Sequence, residues 1–131
     1  LSRCLLGRNT PDSSLKDKWR SEFSLALDHT LNAKLLVNDH LCCGELGIVE
    51  ILMSISQITG DVDVKRAAYQ RSDLVFSRRQ SSGNWSLLLP PEAGLHLPGL
   101  FTGIAGIGYH LLRQSNPGFV EDILTLGLMN T

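Results

Sequence analysis

The sequence predicts an all-α protein, and three observations lead to this prediction. Apolar residues recur at helical spacing between residues 14 and 36. A second apolar run, residues 45–58, is long for a strand and ordinary for a buried helix. Short stretches of Gly, Pro, Asn and Ser, such as residues 81–84 and 116–118, interrupt the later apolar segments and typically form loops. We therefore expect about four to five helices, joined by loops that are partly glycine-rich.

The first two predicted helices lie before the adjacent cysteines. Residues 1–6 are mostly apolar, which indicates the end of a helix that stops at Gly7. Ser14 is followed by Asp17 three residues later, a spacing that resembles a capping box at the start of a helix. We therefore expect an amphipathic helix over residues 14–36. Its apolar face consists of residues at helical spacing: Leu15, Trp19, Phe23, Leu27, Leu31 and Leu35.

Three further helices are expected after this point. Residues 45–58 are apolar on nearly every side, so this helix should be buried between neighbours. A helix from residue 62 to about residue 79 follows, and residues 85–98, with three prolines, are expected to be irregular. The last strong helical segment is residues 100–112, and the tail, residues 119–131, has room for one more short helical turn.

The composition excludes several classes of protein. Lys and Arg total 12 against 13 Asp and Glu, and this near-neutral balance argues against a general binder of nucleic acid or anionic membranes. No apolar run approaches the ~20 residues of a membrane span. Three cysteines cannot all pair with one another, so a secreted disulfide framework is not expected. Free cysteines and the lack of a signal peptide predict a cytoplasmic protein, and a chain that starts at Leu1 rather than Met is expected to be cut at its start.

The adjacent cysteines, Cys42 and Cys43, are the sharpest chemical feature of the sequence. Thiolates are soft ligands that suit Zn²⁺. Two consecutive residues can bind one metal only outside a regular helix, because helical neighbours diverge by about 100°. The loop that enters a helix at Gly44 meets this condition, and the partial positive charge of the helix N-terminus should favour thiolate over thiol. The alternative is that both cysteines are small apolar residues in a buried loop.

Histidine chemistry is less specific in this sequence. His40 lies two residues before Cys42 and is a candidate metal ligand or proton-transfer group. The alternative is a loop histidine bonded to the backbone. For His96 and His110, no interaction partner can be identified from the sequence. No nucleophile motif such as GxSxG is present, so a Ser–His–Asp triad is not predicted.

Three glycines, Gly103, Gly106 and Gly108, resemble a phosphate-binding loop only superficially. Their order, GxxGxG, matches neither the dinucleotide fingerprint nor the Walker loop, and no Lys lies nearby. Apolar residues are interleaved with them. We therefore expect these glycines to let helices or loops approach each other closely.

Two segments carry a resemblance to a known family. Residues 38–47 read Asn-Asp-His-Leu-Cys-Cys-Gly-Glu-Leu-Gly, and residues 97–109 read Leu-Pro-Gly-Leu-Phe-Thr-Gly-Ile-Ala-Gly-Ile-Gly-Tyr. In the same order and at a fitting separation, they resemble the Leu-Cys-His-Gly-x-x-Gly and Pro-Gly-Leu-Met-Thr-Gly-x-Ala-Gly-Ile-Gly-Tyr segments of lanthionine synthetase C-like cyclases. The nearest likeness is to the cyclase half of bifunctional class II lanthipeptide synthetases, and it covers nearly all of the chain.

The resemblance implies an α/α toroid, also called an α/α barrel, in which inner and outer helices surround a central cavity. It also implies one zinc ion as cofactor. Cys42 and Cys43 take the places of the second and third zinc ligands. Most members have His at the position of Cys43. Cys at this position resembles a less common subgroup, whose members are expected to bind zinc through three thiolates. The first ligand is expected upstream of Leu1, and Cys4 does not match it. His40, the candidate catalytic residue, stands where the family motif has Ser.

The reaction implied by the resemblance is a Michael-type addition. Zinc lowers the pKa of a cysteine thiol in the substrate peptide, and the thiolate attacks dehydroalanine or dehydrobutyrine to form a thioether ring. The implied partners are a dehydrated precursor peptide and a dehydratase domain in the same full-length chain. Residues 1–131 would be the carboxy-terminal part of a single cyclase domain, expected to be inactive in isolation. The alternative function is a non-catalytic α/α helical scaffold or a degenerate peptide-binding module.

Overall fold

The computed structural model describes residues 1–88 and 97–124. Within these residues lie five α-helices: α1 (Ser2–Asn9), α2 (Ser13–Asn32), α3 (Glu45–Thr59), α4 (Val62–Ser82) and α5 (Ile104–Ser115). No strand occurs in these described ranges, so the prediction of an all-α protein is confirmed. The chain divides into two compact units, Leu1–Lys34 and Leu35–Thr131. None of the helices in the described ranges is long and apolar enough to cross a bilayer.

The first unit contains α1 and α2, which pack against each other. Arg3 and Glu22 join the two helices through an ion pair of 2.8 Å. The prediction that the first helix stops at Gly7 is wrong, because α1 continues past it. The helix ends at Asn9, and the backbone of the following residue, Thr10, is extended. This conformation is the usual one for a residue before a proline, here Pro11.

The second helix differs from its prediction at both ends. Asp12, rather than Ser14, caps α2: its carboxylate accepts the N–H groups of Ser14 and the next residue, at 2.9 Å and 3.3 Å. The helix ends at Asn32, short of residue 36, because the N–H of Leu36 donates to the Glu45 side chain (2.7 Å) rather than to a helical carbonyl. All of α2 is described, and none of its residues is buried. Its predicted apolar face is therefore only partly covered.

The second unit is built around α3. Leu46 and Leu52 have no exposed surface, as the apolar pattern of this helix predicts. Helix α4 packs along α3 and buries Ala68 and Val75, and α5 adds Ile107 to the same core. Burial of apolar side chains of this size is the main stabilising contribution to such a core.

The ends of the later helices follow from glycines and turns. Gly60 follows α3 and Gly83 follows α4, and both have a left-handed backbone (φ 74° and 77°) that glycine adopts without a steric penalty. Helix α4 therefore runs to Ser82, past the predicted residue 79. Helix α5 begins at Ile104 rather than at residue 100, because residues 100–103 form a turn.

Some sequence predictions fall on residues outside the described ranges. Residues 85–88 and 97–98 have no regular secondary structure, as expected, whereas residues 89–96, which include His96, lie outside the described part. Residues 119–124 form turns rather than a helix, and residues 125–131 are not described.

Candidate functional site

The two motif segments of the sequence meet in the structure. One contains the cysteine loop (residues 38–44), which leads into α3, and the other contains the Pro-Gly loop (residues 97–103), which leads into α5. The backbone N–H of Cys42 donates to the carbonyl of Phe101 at 2.8 Å. The two loops are therefore joined directly through the residue that was predicted to bind metal.

A repeated spacing, L-x-x-G-x-x-G, explains the similar shape of the two segments. It occurs at residues 41–47 and again at residues 100–106. In each copy the first glycine caps a helix. A Cβ on the second glycine, Gly47 or Gly106, would lie 2.1 Å or 1.9 Å from the carbonyl oxygen of the leucine that begins the segment. The sequence analysis did not identify this repeat, although the spacing is visible in the chain.

The expectation of close approach at the three glycines is confirmed for two of them. A Cβ on Gly103 would lie 2.0 Å from the carbonyl oxygen of Leu97, and one on Gly106 would also meet the side chain of Leu41 at 3.1 Å. At Gly108 the expectation is wrong. Nothing described beyond its own stretch of helix lies within 4 Å of a Cβ there. A side chain is therefore excluded at the first two positions and accommodated at the third.

Cys42 and Cys43 lie in the turn before α3, outside regular helix as predicted. Both thiols are free and exposed, rather than buried as the alternative interpretation expects. Desolvation, together with the neighbouring Cys42, raises the pKa of Cys43 above its usual range. This direction contradicts the expectation that the helix N-terminus favours the thiolate at Cys43.

The pair fits two positions of a metal site. Two adjacent exposed thiols outside regular helix are suited to bind one soft cation such as Zn²⁺. Within residues 1–88 and 97–124, no group of three His, Cys, Asp or Glu side chains is arranged to hold a metal ion. A tetrahedral zinc site therefore needs further ligands from outside these ranges or from bound molecules.

His40 lies against the backbone of the cysteine loop. Its ring is fully buried, and Nδ1 accepts the N–H of Cys43 at 3.4 Å. The other ring nitrogen, Nε2, is buried without a hydrogen-bond partner in the described part of the chain. The structure thus places His40 beside the predicted ligands, and its ring bonds to the backbone as the alternative interpretation proposes.

Two buried carboxylates hold the cysteine loop against α4. Asp39 pairs with Arg78; its backbone N–H donates to the Ser86 carbonyl, and its carboxylate accepts the N–H of Ser86, both at 2.6 Å. Glu45 pairs with Arg71 and also accepts a backbone N–H at 2.7 Å. The sequence analysis missed both pairs. The partners lie 39 and 26 residues apart, and no local pattern connects them.

His110 belongs to a buried polar cluster that joins α3, α4 and α5. Its Nδ1 bonds to Glu50, and its Nε2 lies 3.2 Å from the hydroxyl of Ser72. Arg113 pairs with the other carboxylate oxygen of Glu50. The order Ser72–His110–Glu50 is that of a hydrolase triad, but none of the three side chains has exposed surface. A substrate has no access to this hydroxyl, so we assign the cluster a structural role.

Comparison with known proteins gives one match. The family model described as Lanthionine synthetase C-like protein matches residues 1–125, a range that contains all five helices and both loops. No curated protein and no solved structure matches the chain.

Proposed function

The chain belongs to the lanthionine synthetase C-like family, and on this basis we propose that it is part of a cyclase that forms thioether rings in peptides. The observation that supports the proposal best is the geometry of the cysteine loop. The thiols of Cys42 and Cys43 are exposed, and the backbone N–H of Cys42 holds their loop beside the Pro-Gly loop. In this proposal they are two ligands of a zinc ion in a three-thiolate site, and the third ligand lies upstream of Leu1.

The proposed reaction joins a peptide thiol to a dehydrated residue. Bound zinc would supply a Lewis acid that keeps a substrate cysteine as thiolate at neutral pH. The sulfur then bonds to the β-carbon of dehydroalanine or dehydrobutyrine, the C=C π bond is lost, and the α-carbon takes a proton. Cys42 and Cys43 hold the metal, while Asp39 and Glu45 fix their loop to α4.

The substrate class and the partners follow from the same proposal. The substrate is a precursor peptide that carries dehydroalanine or dehydrobutyrine, and a dehydratase domain in the same full-length chain supplies these residues, as in class II synthetases. We place the reaction in the cytoplasm, because Cys42 and Cys43 are free and exposed, as is usual for thiols in a reducing compartment.

Zinc content and ring formation test the proposal together. We expect the purified full-length protein to hold zinc, and Cys42→Ala and Cys43→Ala each to lose most of it. Cys4→Ala is the matched control, because Cys4 lies outside the cysteine loop, and this variant should keep its zinc. Elemental analysis measures the metal, and mass spectrometry after thiol alkylation counts the rings formed in a dehydrated peptide.

A non-catalytic helical scaffold predicts a different result. The protein would be folded and free of zinc, and the three cysteine variants would behave alike. Zinc that is equally abundant in the wild type and in Cys42→Ala would also contradict the proposed ligand set.

A further inference from the structure

Separate acceptors hold the backbone N–H groups of the two cysteines. Cys42 donates to the carbonyl of Phe101 at 2.8 Å, and Cys43 donates to Nδ1 of His40 at 3.4 Å. The first acceptor is a backbone group of the other loop, whereas the second is a side chain. The orientation of Cys43 therefore depends on which residue occupies position 40.

This hydrogen bond determines which nitrogen of the His40 ring carries the proton. A neutral imidazole has one donor nitrogen and one acceptor nitrogen. Because Nδ1 accepts from Cys43, the proton lies on Nε2. A group that transfers a proton to a substrate must come within hydrogen-bond reach of it. The His40 ring has no exposed surface, and its acceptor nitrogen is occupied by the backbone.

We propose that His40 is a positioning residue of the metal site. Its Nδ1 holds the backbone of Cys43, so that the Cys43 thiol stays beside the thiol of Cys42. In this role His40 transfers no proton, unlike the catalytic residue expected from the sequence. The inference rests on the proposed zinc function of the two cysteines and adds the residue that orients one of them. Groups that orient metal ligands in this way affect metal affinity directly.

Two substitutions distinguish the ring nitrogens of His40. The amide oxygen of Asn can take the place of Nδ1, whereas the amide of Gln reaches the place of Nε2. We expect His40→Asn to bind Co²⁺ within about threefold of the wild-type affinity, and His40→Gln to bind about fivefold to tenfold more weakly, because one hydrogen bond is lost. Titration of the purified protein with Co²⁺, followed by thiolate-to-cobalt charge-transfer absorption, measures both affinities. Equal affinities of the two variants would overturn the proposal.

A second measurement needs neither metal nor a variant. Long-range ¹H–¹⁵N spectra of the metal-free wild-type protein report the tautomer of His40, and we expect a protonated Nε2 with an unprotonated Nδ1. A protonated Nδ1 overturns the inference, even where His40→Gln fails to fold. If the wild type and Cys42→Ala bind Co²⁺ equally, the proposed zinc site is wrong and the metal role of His40 falls with it. The tautomer then still decides whether His40 holds the loop.

Discussion

Asp39 and Glu45 lie on either side of the adjacent cysteines, and each is buried and pairs with an arginine of α4; the arginine is buried at Glu45 and partly exposed at Asp39. A buried carboxylate is costly to remove, because its arginine is left as an uncompensated charge in a poorly hydrated place. Exposed ion pairs contribute little, since water screens them. The pair of Arg66 and Asp63 is of this second kind. Both kinds of ion pair can therefore be compared within one protein.

Glu45→Ala is expected to lower the free energy of unfolding by about 3–5 kcal/mol, because Arg71 loses its buried partner. The matched control is Arg66→Ala, which removes an exposed partner and should change the free energy by about 0.5 kcal/mol or less. Urea denaturation followed by circular dichroism measures both. Similar effects of the two changes would show that the Glu45–Arg71 pair does not fix the cysteine loop.

The cap of α2 should respond to acid through Asp12. Hydrogen bonds from the Ser14 hydroxyl and from the N–H groups of Leu15 and Ser14 lower the pKa of Asp12. Its capping contribution is therefore complete above the usual Asp pKa of about 3.9 and is lost as the pH falls through the lowered value. Asp12→Asn keeps a capping side chain that does not titrate. We expect the wild type to lose more helical signal than Asp12→Asn below about pH 4. Acid titrations followed by circular dichroism measure this loss, and identical titration curves for the two proteins would contradict the prediction.

The subgroup proposal makes a prediction at Cys43. Three thiolates donate more charge to zinc than two thiolates and an imidazole, so a metal-bound substrate thiolate should be more nucleophilic in the former case. Cys43→His is therefore expected to slow ring formation and to change the ring pattern, with zinc still bound. Mass spectrometry of the products over time measures both, and an unchanged rate and pattern would contradict the three-thiolate proposal.

The candidate site was only partly predictable at the residue scale. Cys42 and Cys43 could be predicted as ligands, because two adjacent cysteines before a glycine are recognisable in the sequence itself. The raised pKa of Cys43 could not be found, since it depends on desolvation in the folded loop. The partners of His110 were equally hidden, because Glu50 lies 60 residues away.

At the scale of elements, the L-x-x-G-x-x-G repeat shapes the start of both α3 and α5. Gly106→Ala is expected to destabilise the protein by about 1–3 kcal/mol, because the new Cβ would lie 1.9 Å from a backbone carbonyl oxygen. The matched control is Gly108→Ala in the same helix, where the space is open. That change should be neutral or stabilise by up to about 1 kcal/mol through helix propensity.

Thermal or urea unfolding of the two alanine variants distinguishes packing from other roles of these glycines. Equal effects at Gly106 and Gly108 would contradict the packing role of Gly106. If Gly106→Ala left the stability unchanged but abolished binding of a nucleotide, the result would favour a phosphate-binding loop over the packing role.

Helix type was predictable and helix ends were less so. The all-round apolar pattern of α3 predicted a buried helix, and Leu46 and Leu52 are fully buried. The ends of α2 depend on competition that local patterns do not show. Asp12 takes the cap that Ser14 was expected to form, and the N–H of Leu36 is committed to Glu45.

At the scale of the whole molecule, the two compact units differ in how much they bury. No residue of the fully described α2 is buried, whereas α3 contributes a nearly continuous buried surface to its own unit. Local opening is easier where few side chains are buried. We expect the amides of α2 to exchange with deuterium about tenfold or more faster than those of α3, after correction for rates in the unfolded chain. Equal protection measured by mass spectrometry would contradict this difference.

The all-α class of the molecule followed from periodicity alone, and membership of the family followed from two motifs in register. The contact between those motifs could not be predicted from the sequence. It depends on one hydrogen bond between Cys42 and Phe101, which no spacing rule predicts. The sequence could identify both loops but not their pairing.

The bond from Cys42 to Phe101 also has a consequence for the order of events during translation. The ribosome makes the cysteine loop well before it makes the carbonyl that holds this loop. Until the Pro-Gly loop has emerged, the backbone of the cysteine loop lacks the carbonyl group that accepts the N–H of Cys42. For the proposed zinc site, the folded geometry of the cysteine loop is therefore complete only after α4 and the Pro-Gly loop have left the ribosome.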